Sequence, residues 1–94
     1  MQEVILSGRK WNSSDDLYSD LLAALGAPAW HGHNLDGLWD SISGGDINRI
    51  NPPLCIRITD VSSIPEECET LIHGIVKLAS DASKRGLEIK VVLE

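Results

Sequence analysis

Three segments of the chain carry the apolar pattern of β-strands. Residues 4–6 form a short apolar run, and residues 54–59 and 87–93 place apolar side chains at every second position, which is the period of a strand. Arg57 and Lys90 fall at the alternate positions. We therefore predict three strands in a sheet that packs one face on the core and leaves the other partly exposed to water.

Two helices are predicted between the first and second strands. The first begins at the hydroxyl and carboxyl side chains of residues 13–16, which can cap free backbone N–H groups, and it ends at Gly26. The second has Asn34 as its predicted cap and ends at Gly44 and Gly45. Its expected apolar face comprises Leu35, Leu38, Trp39 and Ile42.

A third, longer helix is predicted over about residues 63–85, with Pro65 and Glu66 in its first turn and Gly86 after its end. Its expected inner face comprises Ile64, Cys68, Leu71, Ile72, Ile75, Leu78, Ala79 and Ala82. Its expected outer face comprises Glu69, His73, Lys77, Asp81 and Lys84.

The order strand, two helices, strand, helix, strand predicts an α/β fold. Helical crossovers between consecutive strands call for a parallel sheet. Right-handed crossovers between neighbouring strands place the helices mainly on one face, in a two-layer arrangement with strand order 1-2-3. We expect residues 1–94 to form a single domain, because 94 residues are too few for two cores.

The composition limits the classes of protein that the chain can represent. No apolar run approaches the length of a membrane span, and the first residues lack the basic start of a secretory signal, so we expect a cytoplasmic protein that does not bind membranes. Cys55 and Cys68 stand apart without a CxxC motif, which argues against a thiolate zinc site. Free buried thiols are expected, with a single disulfide as the alternative.

The charge of the chain is unevenly distributed. The formal net charge is -6, and residues 11–48 contain six aspartates and no Lys or Arg, whereas acids and bases cancel elsewhere. An acidic surface attracts basic partners and opposes binding to nucleic acid, whose phosphates require Lys and Arg. We therefore expect a basic protein partner and no nucleic acid.

Residues 30–40 combine two tryptophans, two histidines, two glycines and two aspartates. Such a mixture is typical of a protein-binding surface rather than of a core. Asp36 and Asp40 are four residues apart, which places them side by side on the predicted helix, where they repel each other. Trp39 is predicted to lie between these acids and the apolar face. The alternative to a role in binding is a position in the core.

Two chemical alternatives exist for this stretch. A catalytic carboxylate pair of Asp36 and Asp40 would need a desolvating cleft, which an exposed helix face does not supply. A metal site of His31, His33 and Asp36 would lack a second group of ligands. We therefore expect no enzymatic activity, no metal and no cofactor.

Residues 27–40, Ala-Pro-Ala-Trp-His-Gly-His-Asn-Leu-Asp-Gly-Leu-Trp-Asp, resemble the signature of the barstar family, in which a loop with Pro and aromatic residues leads through Gly-x-Asn-Leu-Asp-x-Leu-Trp-Asp into the second helix. The length and the order of elements are similar over essentially the whole chain. The resemblance implies a three-stranded parallel sheet with helices and one-to-one inhibition of a secreted, basic microbial ribonuclease of the barnase type inside the producing cell. The free protein is expected to be monomeric.

The resemblance also implies which residues bind the ribonuclease. Matching positions are Trp30 and His31 in the loop, Gly32 and Asn34 before the helix, the acids Asp36 and Asp40, Trp39, the small pair Ser43 and Gly44, and Asp81 on the last helix. His31, His33, Gly45 and Arg85 depart from the family pattern, and Arg85 has the spacing to pair with Asp81. These changes at the edge of the surface suggest a different ribonuclease from barnase.

The resulting prediction is a ribonuclease inhibitor that gives immunity to the producing cell, as an antitoxin does against its toxin. Asp40 is the main anchor, because arginines that hold a phosphate can also hold a carboxylate. The alternative is a domain of the same fold that serves in immunity or regulation and binds a partner that is not a ribonuclease.

Overall fold

The computed structural model describes residues 2–26, 35, 37–39 and 53–94. In these residues the chain forms strand β1 (Gln2–Ser7), helix α1 (Ser14–Leu25), strand β2 (Leu54–Thr59), helix α2 (Glu66–Lys84) and strand β3 (Ile89–Leu93), with short 3-10 turns at Gly8–Lys10 and Val61–Ser63. Residues 35 and 37–39 are helical, in agreement with the second predicted helix, whose expected ends at Asn34, Gly44 and Gly45 lie outside the described residues.

The strands form one parallel sheet in the order β1-β2-β3, which confirms the predicted topology. β1 pairs with β2 from Gln2 opposite Leu54 onward, and β2 pairs with β3 from Leu54 opposite Ile89 onward. One face of this sheet is apolar and joins the inner faces of α1 and α2 in a single buried cluster. The sheet contributes Val4, Leu6, Leu54, Ile56, Ile58 and Ile89 to it.

The other face of the sheet is partly polar, as the alternation predicts. Arg57 at its centre donates hydrogen bonds to Glu94 over 2.6 Å and to Glu3 over 3.1 Å. Ile5 on the same face is 63% exposed, whereas Cys55 is buried. The two layers of the fold therefore enclose one core on the helical side of the sheet.

Helix α1 has the ends that its sequence predicts. The Ser13 hydroxyl accepts a hydrogen bond from the Asp16 backbone N–H, and the Asp16 carboxylate accepts one from the Ser13 backbone N–H, which together make a capping box. Gly26 follows the helix with φ 68, a left-handed conformation that glycine adopts without a steric penalty. Side chains and a glycine of the local sequence therefore mark both ends of α1.

Helix α2 begins later than predicted. Residues 61–63 form a separate 3-10 turn, and Pro65 is extended and precedes the helix instead of lying in its first turn. The end of α2 closes as a Schellman motif, since the N–H of Leu87 bonds the carbonyl of Ala82 and the N–H of Gly86 bonds that of Ser83. Leu87 is thereby held to the helix, which is why β3 begins at Ile89 and not at Leu87.

The predicted faces of α2 are confirmed. All the expected inner residues from Cys68 to Ala82 are buried, and Ile64 packs against the cluster from the segment before the helix. The expected outer residues Glu69, His73, Lys77, Asp81 and Lys84 are exposed. Within the described residues, no helix combines the length and apolar character that crossing a membrane requires.

Candidate functional site

Two of the predicted binding residues, Trp39 and Asp81, belong to the part of the chain that the structure describes. Both border one groove between the helical residues 35–39 and helix α2. The other predicted residues lie outside the described residues, namely Trp30, His31, Gly32, Asn34, Asp36, Asp40, Ser43 and Gly44.

The helical residues 37–39 are attached to the core through their side chains. Leu38 is fully buried at 0% exposed, and Trp39 is half-buried and packs against the same cluster. Burial of a leucine contributes about 2 kcal/mol relative to exposure. The core position considered for Trp39 is thus partly confirmed, because the residue packs against the core. Its predicted role in binding stays a prediction, and the ring also borders the groove.

Gly74 brings α2 close to Leu35. A Cβ added at this glycine would lie 2.7 Å from Cδ1 of Leu35, which is shorter than a normal contact. A glycine inside a helix costs roughly 1 kcal/mol relative to alanine, so a close approach of another element is a physical reason for it. An isolated glycine within the third predicted helix was the available signal for this contact, and the sequence analysis missed it.

Arg85 contacts Trp39 across the groove. Its guanidinium carbon lies 5.5 Å from the centre of the Trp39 ring, in the range of a cation–π interaction. The ion pair between Asp81 and Arg85 that their spacing suggested is not formed among the described residues, because the Arg85 guanidinium lies over the indole instead. Arg85 therefore links the end of α2 to Trp39, one of the predicted binding residues.

The groove has a volume of about 520 Å³ and is lined by both apolar and charged residues. Its apolar lining comes from Leu35, Trp39, Gly74 and Leu78, and its charged lining from Lys77, Asp81, Lys84 and Arg85. Sequence analysis assigned Asp81 to the binding surface and placed Arg85 at its edge. Lys77 and Lys84 could not be recognised as neighbours of Trp39 without the packing of two elements that are far apart in sequence.

At the junction between α1 and α2, one carboxylate and one thiol have structural roles. The Glu67 carboxylate accepts the Ser14 backbone N–H over 2.6 Å, and the Cys68 thiol donates to the Ser13 carbonyl over 3.2 Å. Burial, with smaller contributions from Glu67 and Asp16, raises the pKa of the Cys68 thiol. A buried thiol with a raised pKa is a poor nucleophile, and both cysteines are free, as expected.

Trp11 has a structural role as well. It is buried, and its indole N–H donates to the Asp20 carboxylate over 2.5 Å. In the described ranges no group of three or more His, Cys, Asp or Glu side chains could hold a metal ion. The alternative metal ligands His31, His33 and Asp36 lie outside those ranges. The groove remains the described surface that borders two of the predicted binding residues, Trp39 and Asp81.

Comparison with known proteins identifies the family of this chain. A family model described as Barstar (barnase inhibitor) matches residues 1–94. A protein of Bacillus subtilis (strain 168) named "Putative ribonuclease inhibitor YrdF" is 39% identical over 44 residues, which cover 47% of this chain and 48% of that protein. The alignment thus spans about half the length of this relative. Because the family model matches the chain over its whole length, the chain belongs to the barstar family.

Proposed function

We propose that this protein is a non-catalytic inhibitor of a secreted, basic microbial ribonuclease of the barnase type, which it binds one to one inside the producing cell. The observation that carries the proposal is the match of the barstar family model to residues 1–94. The name of the Bacillus subtilis relative supports the same class of target over the 44 residues that align.

The proposed mechanism is occupation of the ribonuclease active site by carboxylates. A site that cleaves RNA holds phosphate with Lys, Arg and His side chains, and an arginine fork that fits a phosphate also fits a carboxylate. Asp40 is the proposed anchor and Asp36 the second charge, with Trp30 and Trp39 as apolar contacts. Both acids enter this proposal from the sequence pattern, since they lie outside the described residues.

The mechanism is supported by the described residues 35 and 37–39, which attach the proposed binding segment, residues 30–44, to the rest of the protein. Leu38 is buried in the core, Leu35 lies against Gly74, and Trp39 lies under Arg85. A segment that is fixed to its own core before binding loses less conformational entropy in the complex. Such preorganisation would favour tight binding of the partner.

The proposal is tested by titrating the purified protein against a panel of barnase-type ribonucleases while RNA hydrolysis is followed. We expect at least one enzyme to be inhibited competitively with RNA, with the titration ending at one inhibitor per enzyme. If the folded protein inhibits no member of the panel, the proposal is wrong and the family's scaffold serves a different partner here. A pull-down from the producing organism would then identify that partner.

A further inference from the structure

The groove beside Trp39 is basic on its α2 side. Lys77, Lys84 and Arg85 stand there with Asp81 as the one carboxylate of the described lining, so three cations face a single negative charge. All four of these residues are exposed. This surface, which we call the basic groove, is therefore available to a partner, and its described side chains carry more positive than negative charges.

The opposite side of the same groove belongs to the acidic segment. Leu35 and Trp39 lie within residues 11–48, which contain six aspartates and no Lys or Arg. A segment that is acidic in sequence thus supplies one side of a groove whose described α2 side is basic. A partner that was uniformly basic would match the acidic segment and be repelled by the basic groove, because like charges brought together at an interface disfavour the complex.

Arg85 is held in place before a partner arrives. Its guanidinium lies 5.5 Å from the Trp39 ring centre, and a guanidinium that lies over an aromatic ring keeps its in-plane N–H donors for other acceptors. Carboxylates are the acceptors that match this fork of donors. Leu35 and Trp39 add apolar surface to the groove. This apolar surface is suited to contact with the methylene groups of an acidic side chain.

We propose that the basic groove binds an acidic loop at the rim of the ribonuclease active site. This inference rests on the proposed function and refines it: the partner presents a basic centre to the acidic segment and carboxylates to Lys77, Lys84 and Arg85. The groove then selects among basic ribonucleases, since one with a basic rim at this place is rejected.

The test reverses charges in the basic groove without touching the contact between Arg85 and Trp39. The Lys77→Glu, Lys84→Glu double variant is compared with Lys10→Glu, Lys90→Glu, which makes the same change of charge at exposed positions outside the groove. Inhibition constants are measured with the ribonuclease of the panel that the natural protein inhibits best. Thermal unfolding of each variant confirms that it is folded, and Lys77→Gln, Lys84→Gln serves as a milder second variant.

We expect the groove reversal to weaken inhibition by at least about tenfold, the glutamine variant to weaken it less, and the control pair to leave it unchanged or slightly stronger. The sign of the effect is decisive. Inhibition that is unchanged or strengthened by the groove reversal overturns the inference while the proposed function stands. Failure of the natural protein to inhibit any ribonuclease overturns both.

Discussion

At the scale of single residues, inhibition should depend most on the carboxyl group of Asp40. We predict that Asp40→Ala weakens ribonuclease binding by about 2 kcal/mol or more, which is about thirtyfold in the inhibition constant. Thermal stability should stay within about 0.5 kcal/mol, because the pattern places Asp40 off the apolar face of its helix. The measurements are inhibition titration and thermal unfolding, with Glu88→Ala on an exposed site as the control for lost charge. A loss of stability as large as the loss of binding would contradict a role in recognition.

Arg85 is predicted to contribute to the stability of the free protein as well as to the proposed contact with the partner. Arg85→Ala removes the cation over Trp39 and should lower the free energy of unfolding by about 0.5–1 kcal/mol, the usual size of this interaction at an exposed site. Urea unfolding followed by tryptophan fluorescence measures the change. Lys84→Ala is the matched control, since Lys84 is the neighbouring exposed cation and also borders the groove. Equal stability of the two variants would show that the contact with Trp39 does not stabilise the fold.

At the scale of elements, the packing of the helical residues 35–39 on α2 depends on Gly74. Alanine at this position favours the helix by roughly 1 kcal/mol, but its Cβ would meet Leu35 at 2.7 Å. We predict that Gly74→Ala stabilises the protein in a Leu35→Ala background and stabilises it less, or destabilises it, when Leu35 is present. A double-mutant cycle by urea unfolding should give a coupling of about 0.5 kcal/mol or more. Additive effects of the two changes would rule out the close contact.

The elements also differ in how far sequence alone predicts their limits. Helix α1 was predicted at both ends, because Ser13, Asp16 and Gly26 act on their own backbone neighbours. The start of α2 was misplaced because the 3-10 turn before it depends on Asp60, whose backbone is left-handed at φ 58. The Asp60 carboxylate is held by Ser7 over 2.8 Å and by Arg9 over 3.6 Å, and contacts from another strand end leave no mark in the local sequence.

At the scale of the whole molecule, the parallel sheet and its single buried face followed from the order and period of the elements. The candidate site could be predicted from the sequence less completely than the sheet. Periodicity predicted that Leu38 would be buried and α2 amphipathic, but it could not predict that Arg85 would reach Trp39 instead of Asp81. That contact depends on how two helical segments pack. The sign of a surface built by two distant segments is therefore a property of the fold.

The uneven charge of the whole molecule leads to a prediction about kinetics. Six aspartates without a Lys or Arg in residues 11–48 should steer a basic ribonuclease toward the proposed binding residues. Raising the ionic strength from about 0.1 M to 1 M shortens the screening length from about 10 Å to 3 Å. We therefore expect the association rate constant to fall by at least about tenfold, while the dissociation rate constant changes much less, because contacts at close range are screened less.

Stopped-flow mixing of inhibitor and ribonuclease at several salt concentrations measures both rate constants. Asp46→Asn, which removes one charge from the acidic segment, should reduce the salt dependence of association, and Glu88→Gln, which removes one charge outside it, should reduce it less. An association rate that is indifferent to salt would show that the acidic segment does not steer the partner. A field set by the local distribution of charge should make a charge of the acidic segment count more than one outside it. Equal effects of the two variants would show instead that only the net charge of the protein matters.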